Sequence, residues 1–342
     1  MRAWTVAFAG ALAAAPAHAA DSAAAFVYSR IDEGSAFGSI ALKQLEAHIA
    51  ELKSGSYTVL PLADIVAAVS AGASLPDHAV TVTVDDGYRS FYATGWPPLR
   101  AAGIPVTLFV LPDVIDSKNE NYMTWDQVRE LKRAGVAIGL RGPAPGRTVL
   151  RNAAEAATDI GKGRARIEAE LGEAPRIIAW PYGEFSRALG EAARKVGFIA
   201  GMGQHSGVIH ANDDPLFLPR FVMTDSFGDL SRFRIAANAL PLRVKDVLPA
   251  DPLLKPGDNP PALGFTLIGG AVGRLACYGA GQGAAKVETL GEDRVEVRFA
   301  KPLAQGRARI NCTAPSHEGR TRWWGIQLFV PRAVAAASAA PG

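Results

Sequence analysis

Cysteine is almost missing from this 342-residue chain, two residues in all, and histidine is sparse at six. So few soft ligands, with no zinc-finger spacing among them, exclude a structural zinc module. No phosphate-binding glycine loop and no sustained basic block occur. With 36 Lys and Arg against 33 Asp and Glu, the net charge is only +3. Nothing here calls for a nucleic-acid partner. After the first twenty residues no apolar run is long enough to span a bilayer. What is present, 49% hydrophobic and 20% charged residues, suits an ordinary globular protein with one large domain and a smaller one.

Residues 1–20 read as a secretory signal peptide. Met1-Arg2 gives a basic start, residues 5–15 an apolar core, and Ala17-His18-Ala19 a small-x-small site with cleavage after Ala19 or Ala20. A membrane anchor needs about 18–20 continuous apolar residues; this run is shorter and soon meets Asp21. The expected address is outside the cytoplasm, in a bacterial periplasm. That compartment permits a disulfide between Cys277 and Cys312, which would contribute about 3–4 kcal/mol through loop closure. The alternative is two buried thiols in neighbouring strands.

Between residues 25 and 223, short apolar runs alternate with amphipathic ones. Leu42, Leu45, Ile49 and Leu52 recur at helical spacing. Residues 57–60, 105–111 and 177–180 read as strands, and 62–70, 153–171 and 186–196 as helices. Thr124 with Gln127 forms a capping-box pattern opening another helix. Such alternation predicts parallel strands with outer helices, in a barrel or an open sheet. Residues 241–261 are rich in Pro and Asp and read as a linker. Beyond them, short runs from 263 to 330 predict a small β-sandwich over 262–332, and 333–342 read as a disordered tail. Trp323 and Trp324 are candidates for a sugar-stacking platform, although strand alternation turns only one of them to the core.

Two segments carry chemistry. The strand-like run 79–84 ends on Asp85-Asp86-Gly87, followed by Tyr88. Paired acids at a strand end suit a catalytic mouth, one acid as base and one on a metal; the plainer alternative is a polar β-to-α turn. Downstream, a second apolar run ends in Trp180-Pro181-Tyr182-Gly183. The ordered pair resembles the polysaccharide deacetylase family (carbohydrate esterase family 4, the NodB-homology domain) over residues 25–224. Phe26-Val27-Tyr28, Met123-Thr124-Trp125-Asp126, Gly197-Phe198-Ile199 and Leu218-Pro219-Arg220-Phe221 are similar to further family segments.

The resemblance implies an irregular (β/α) barrel followed by the small all-β domain, and a metal-dependent N-deacetylation site at the strand ends. Asp85 stands at the base position, Asp86 at the metal carboxylate, and Pro181-Tyr182 at the turn that holds the oxyanion. The histidines of the family pattern do not carry over. Arg141 and Pro145 stand where the two metal histidines are expected, and Ser29 where exported relatives often have a histidine after Tyr28. Arginine is permanently cationic and proline has no side-chain donor, so Asp86 alone remains as a metal ligand.

The leading expectation is therefore an exported protein that binds an N-acetylated polysaccharide or oligosaccharide, with metal-dependent deacetylation lost and no cofactor. Tyr88, Trp180, Pro181, Arg141 and His205 are its candidate substrate-binding residues, and Arg141 is expected to neutralise Asp86. One rival is an active deacetylase on zinc or a similar metal, with Asp85, Asp86 and a relocated ligand such as His205. The other is a structural or interaction module with a protein partner.

Overall fold

A computed structural model describes residues 19–32, 38–142, 148–270 and 272–332. Most of the signal segment, Pro145 and the tail lie outside the described residues. The fold is an irregular, curled (β/α) barrel with a two-sheet β-domain packed against it.

The barrel strands read as continuous apolar runs because both of their faces are covered. Strand β1 (Ser22–Tyr28) is buried at all seven positions and β2 (Ala79–Val84) at all six. The polar groups inside are satisfied locally, Thr83 Oγ1 donating to the Phe26 carbonyl at 2.7 Å. Strands β3 (Val106–Val110), β4 (Ala137–Arg141), β5 (Ile177–Ala179) and β6 (Ala200–Met202) extend the sheet in the spatial order β6-β5-β4-β3-β2-β1, all parallel. Beyond β6 the strand β7 (Val208–His210) pairs antiparallel with β1. The chain then touches both edges in quick succession. Leu218 bridges in parallel to Met202, and β8 (Phe221–Val222) pairs in parallel with β1.

Outer helices cover this sheet. The helix Trp125–Arg133 opens on the reciprocal Thr124–Gln127 capping box, and the helix Ala153–Leu171 is capped by the Asn152 side chain. The helix Leu230–Ala237 was not anticipated from periodicity. Its Phe233 stacks on His48, whose ring is also bonded to the Tyr28 hydroxyl and the Gly228 carbonyl.

The stretch 241–261 is not a linker. Strand β9 (Val244–Leu248) forms an edge of the β-domain and pairs antiparallel with β10 (Leu263–Leu267). Leu242, Val244 and Leu254 are buried there, so prolines that suggest a tether instead flank a hydrogen-bonded edge strand. One sheet combines β9 and β10 with Lys286–Leu290 and Arg294–Arg298; the other combines Leu240–Pro241, Ala276–Gly279, Gly283–Ala284, Gly306–Pro315 and Thr321–Val330. Cys277 lies directly opposite Cys312 and the two form a disulfide.

Alternation along Thr321–Val330 gives the second sheet two working faces. Trp324, Ile326 and Leu328 are buried, and Trp324 meets Phe265 of the first sheet. Trp323, Gly325 and Gln327 face the barrel, Trp323 meeting Phe221 edge-on and donating to Asn311 Oδ1. Neither tryptophan is therefore an exposed stacking platform. Both are spent on packing, one on each side of the sheet.

The domains approach closely at Gly325, where an added Cβ would lie 2.3 Å from the Ser206 carbonyl oxygen. Gly325→Ala should therefore lower stability by about 1–3 kcal/mol, the usual cost of overpacking, measured by urea unfolding. Cys277→Ser should remove about 3–4 kcal/mol, and reducing agent should remove the same amount from the wild type and nothing from the variant.

Candidate functional site

The polar centre forms where the barrel strands end, the mouth that parallel barrels use for chemistry. Asp85 follows β2 directly and is 1% exposed. Its backbone N–H donates to the Tyr28 carbonyl at 2.8 Å. Arg220 donates to both carboxylate oxygens, at 2.7 and 2.9 Å, a two-point clamp that also fixes the carboxylate plane. Gln204 Nε2 adds a third donor at 3.2 Å, and Arg141 Nη1 lies 3.5 Å away. Burial alone would push the Asp85 carboxyl up. The charges of Arg141 and Arg220 outweigh it and hold the carboxyl below the usual carboxylate range.

Asp86 takes a positive φ of 75°, uncommon away from glycine, and this turns its carboxylate into the same mouth. Arg141 Nε donates to its Oδ1 at 2.7 Å and Ser29 Oγ to its Oδ2 at 2.8 Å. Arg141, the last residue of β4, also donates to the Trp180 carbonyl and is 3% exposed. The structure thus places Arg141 against Asp86, as its charge requires. Two carboxylates face two guanidinium groups in a closed set.

Arg220 is fully buried. Its Nε donates to the Gly203 carbonyl at 2.8 Å, its Nη1 to Thr83 Oγ1 at 3.1 Å, and its guanidinium lies over the Phe109 ring at 5.5 Å. Sequence reading passed over it as a site residue, although it stands in the Leu218-Pro219-Arg220-Phe221 segment noted above. A separation of 135 residues from Asp85 leaves no local signal for the pairing.

Above this centre opens a cleft of about 590 Å³. Tyr88 stacks on Tyr122 at 4.5 Å on one wall, with Arg30 over Tyr88 at 5.0 Å. Pro181 and Tyr182 form another wall, Tyr182 being 40% exposed and held at a φ of 55°. The β-domain supplies part of the lining, which sequence reading missed. Arg307 lies over the Tyr182 ring at 4.6 Å, and Gln327 Nε2 donates to the Tyr182 carbonyl at 2.9 Å. Arg309 reaches Gln204 Oε1 at 3.4 Å. The sandwich therefore braces the Pro181-Tyr182 turn directly.

Two candidates lie elsewhere. Trp180 has no exposed surface; its indole N–H donates to the Leu216 carbonyl at 2.7 Å and its ring packs on Phe185. Only its main-chain carbonyl meets the site. His205 is 5% exposed, with its ring centre 4.3 Å from that of Phe217. It lines a different cavity of about 340 Å³, between barrel and β-domain, with Trp323, Trp324 and Asp213. Burial, then the charges of Arg309 and Arg220, push its pKa down to about 3. His205 lines that cavity and not the cleft that holds Asp85 and Asp86, and it joins no metal-holding group with them among the described residues.

Among the described residues no group of three or more His, Cys, Asp or Glu is placed to hold a metal ion. The donor set gives the chemical reason: both Asp86 oxygens already accept hydrogen bonds, and the nearest nitrogen group is a cation that repels a divalent ion. These residues do not fit the metal that the resemblance implies.

The Asp85 clamp makes a pH prediction. A carboxyl held below its unfolded value of about 3.9 stabilises the fold above that pH and loses the contribution as pH falls through the folded value. Asp85→Asn should cost about 3–5 kcal/mol at pH 7, because it leaves the buried Arg220 without its counter-charge, and the gap to wild type should narrow on acidification. Urea unfolding between pH 7 and pH 2 checks this; a gap of constant size would contradict it.

Comparison with known proteins agrees with this architecture. Residues 72–201 match the family model for polysaccharide deacetylase. The poly-β-1,6-N-acetyl-D-glucosamine N-deacetylase of Escherichia coli (strain K12) is 27% identical over 218 residues, covering 52% of this chain and 32% of the relative. The chain thus spans about a third of that relative's length. Among solved structures, a Streptococcus pyogenes deacetylase in complex with acetate superimposes with a TM-score of 0.57 at 18% identity, over 60% of this chain and 94% of that one. IcaB from Ammonifex degensii gives 0.56 at 23% identity, over 64% and 98%. Both structures share the fold.

Proposed function

We propose that this chain, which belongs to the polysaccharide deacetylase family through its barrel, binds an N-acetylated amino-sugar glycan in the cleft and does not perform metal-dependent deacetylation. The observation that carries this reading is the position of Arg141. Its guanidinium sits 2.7 Å from Asp86 and 3.5 Å from Asp85, filling by charge the place a divalent cation would take. A fixed cation neutralises the acids but has no open coordination position for water or a carbonyl oxygen. The carboxylates become part of the architecture.

The cleft lining supports a glycan-binding role. Tyr88, Tyr122 and Tyr182 present aromatic faces, which suit the apolar faces of sugar rings, while Ser29 and Gln204 offer hydroxyl and amide groups. The E. coli relative is named for a polymer of N-acetyl-D-glucosamine, which favours that sugar class here. The active-enzyme alternative loses its proposed ligand with His205. The same reading places the protein outside the cytoplasm, in a periplasm. The signal-like segment 1–20 and the Cys277–Cys312 disulfide both support export.

Purified protein dialysed against zinc, cobalt or nickel should retain no stoichiometric metal and release no acetate from N-acetylglucosamine oligomers. Metal retained at one equivalent and lost on Asp86→Ala would overturn the reading. Calorimetric titration should show binding of the N-acetylglucosamine tetramer in the micromolar-to-millimolar range typical of shallow polar sites, weakened at least about fivefold (roughly 1 kcal/mol) by Tyr88→Ala. No binding by wild type would favour the interaction-module alternative.

A further inference from the structure

The charges that line or back the cleft do not all have partners. Asp85 and Asp86 are matched by Arg220 and Arg141, and Arg307 lies 3.7 Å from Glu184. Asp225, on the far wall, accepts from Ser39 Oγ at 3.2 Å and from the Ala41 N–H at 2.8 Å. Arg309 differs. It is half-buried, and among the described residues no carboxylate forms an ion pair with it. Its bonds go to two neutral amides, Nε to Gln327 Oε1 at 2.9 Å and Nη2 to Gln204 Oε1 at 3.4 Å.

Those contacts fix the guanidinium instead of neutralising it. Gln327 is 2% exposed and is itself held by the Tyr182 carbonyl, so the amide behind Arg309 cannot swing freely. Gln204 is tied to Asp85, which is already saturated by Arg220. Half-burying a cation without a counter-charge is unfavourable, and both burial and the nearby Arg307 disfavour its charge. A pre-positioned planar fork at the edge of a solvent-filled cleft matches a carboxylate at two points.

We infer that the cleft recognises an acidic glycan, one that carries carboxylate-bearing uronic acids as well as N-acetylated amino sugars, and that Arg309 of the β-domain receives the carboxylate. This rests on the reading of the cleft as a glycan site and narrows its ligand. It also assigns the sandwich a role in specificity: the barrel presents the aromatic faces and the sandwich reads the charge.

The test compares two tetrasaccharides by calorimetry, the neutral N-acetylglucosamine tetramer and a tetramer alternating N-acetylglucosamine with glucuronate. Wild type should bind the acidic probe about tenfold more tightly, the gain of a partly desolvated charge-assisted pair, and the advantage should shrink as sodium chloride is raised. Arg309→Gln should abolish the difference between the two probes, lowering the acidic one by about tenfold more than the neutral one, with an unchanged circular-dichroism spectrum and thermal melt showing that the variant is folded. Arg309→Lys, which keeps charge but loses the fork, should retain part of the preference. Equal affinities in wild type, or a preference that survives Arg309→Gln, would overturn the inference while binding of the neutral tetramer left the glycan reading standing. Failure of both probes to bind would overturn both.

Discussion

Everything at the mouth of this barrel depends on one electrostatic constraint. Asp85 and Asp86 follow a buried strand, and Asp85 is almost wholly out of water, where an uncompensated carboxylate is very costly. Some fixed positive charge has to accompany them. Arg220 and Arg141 provide it, and their placement orders the surroundings. Arg220 holds the Gly203 carbonyl and Thr83 while clamping Asp85. Arg141 ties Asp86 to the Trp180 carbonyl at the end of β5, the strand beside its own. Four strand ends are thereby linked through two carboxylates. Such a network adds little net stability over apolar packing, yet removing one member is severe.

The same constraint separates fold from chemistry. A divalent cation and an arginine both solve the charge problem of paired acids, but only the cation leaves open positions for water and substrate. A barrel of this kind can therefore carry arginine where the resemblance expects histidine, with the proposed function recognition instead of reaction. Asp86 and Tyr182 keep positive φ values, the kind of local strain that persists only where the surrounding structure enforces it. Here the enforcing contacts are the Arg141–Asp86 pair and the Gln327–Tyr182 bond.

The β-domain is part of the site. Gln327, Arg309 and Arg307 share the barrel-facing side of one sheet, and their opposite neighbours Ile310, Cys312, Ile326 and Leu328 fill the sandwich core. Strand alternation serves both faces: the residues that keep the sandwich folded determine the register of those that reach the cleft. A disulfide directly between paired strands fixes that register at Cys277 and Cys312.

Much of this was legible from the chain alone. Apolar runs alternating with helical periods give the barrel strands, because covered parallel strands must be apolar on both faces. The Thr124–Gln127 cap and the 153–171 helix follow from local rules, and the mismatch of Ser29 and Arg141 with the histidines that the resemblance implies is a matter of residue chemistry alone. What the sequence could not decide were relations between distant residues. Arg220 meets Asp85 across 135 positions, Gln204 across 119, and Arg309 reaches the cleft from another domain. Composition also misled at 241–261, where prolines flank a paired edge strand, and at Trp180, where an aromatic beside the site is core because its side chain points inward. Charge, period and cap are properties of neighbours along the chain. Which cation answers which carboxylate, and which face a side chain takes, is decided only when the strands are brought together.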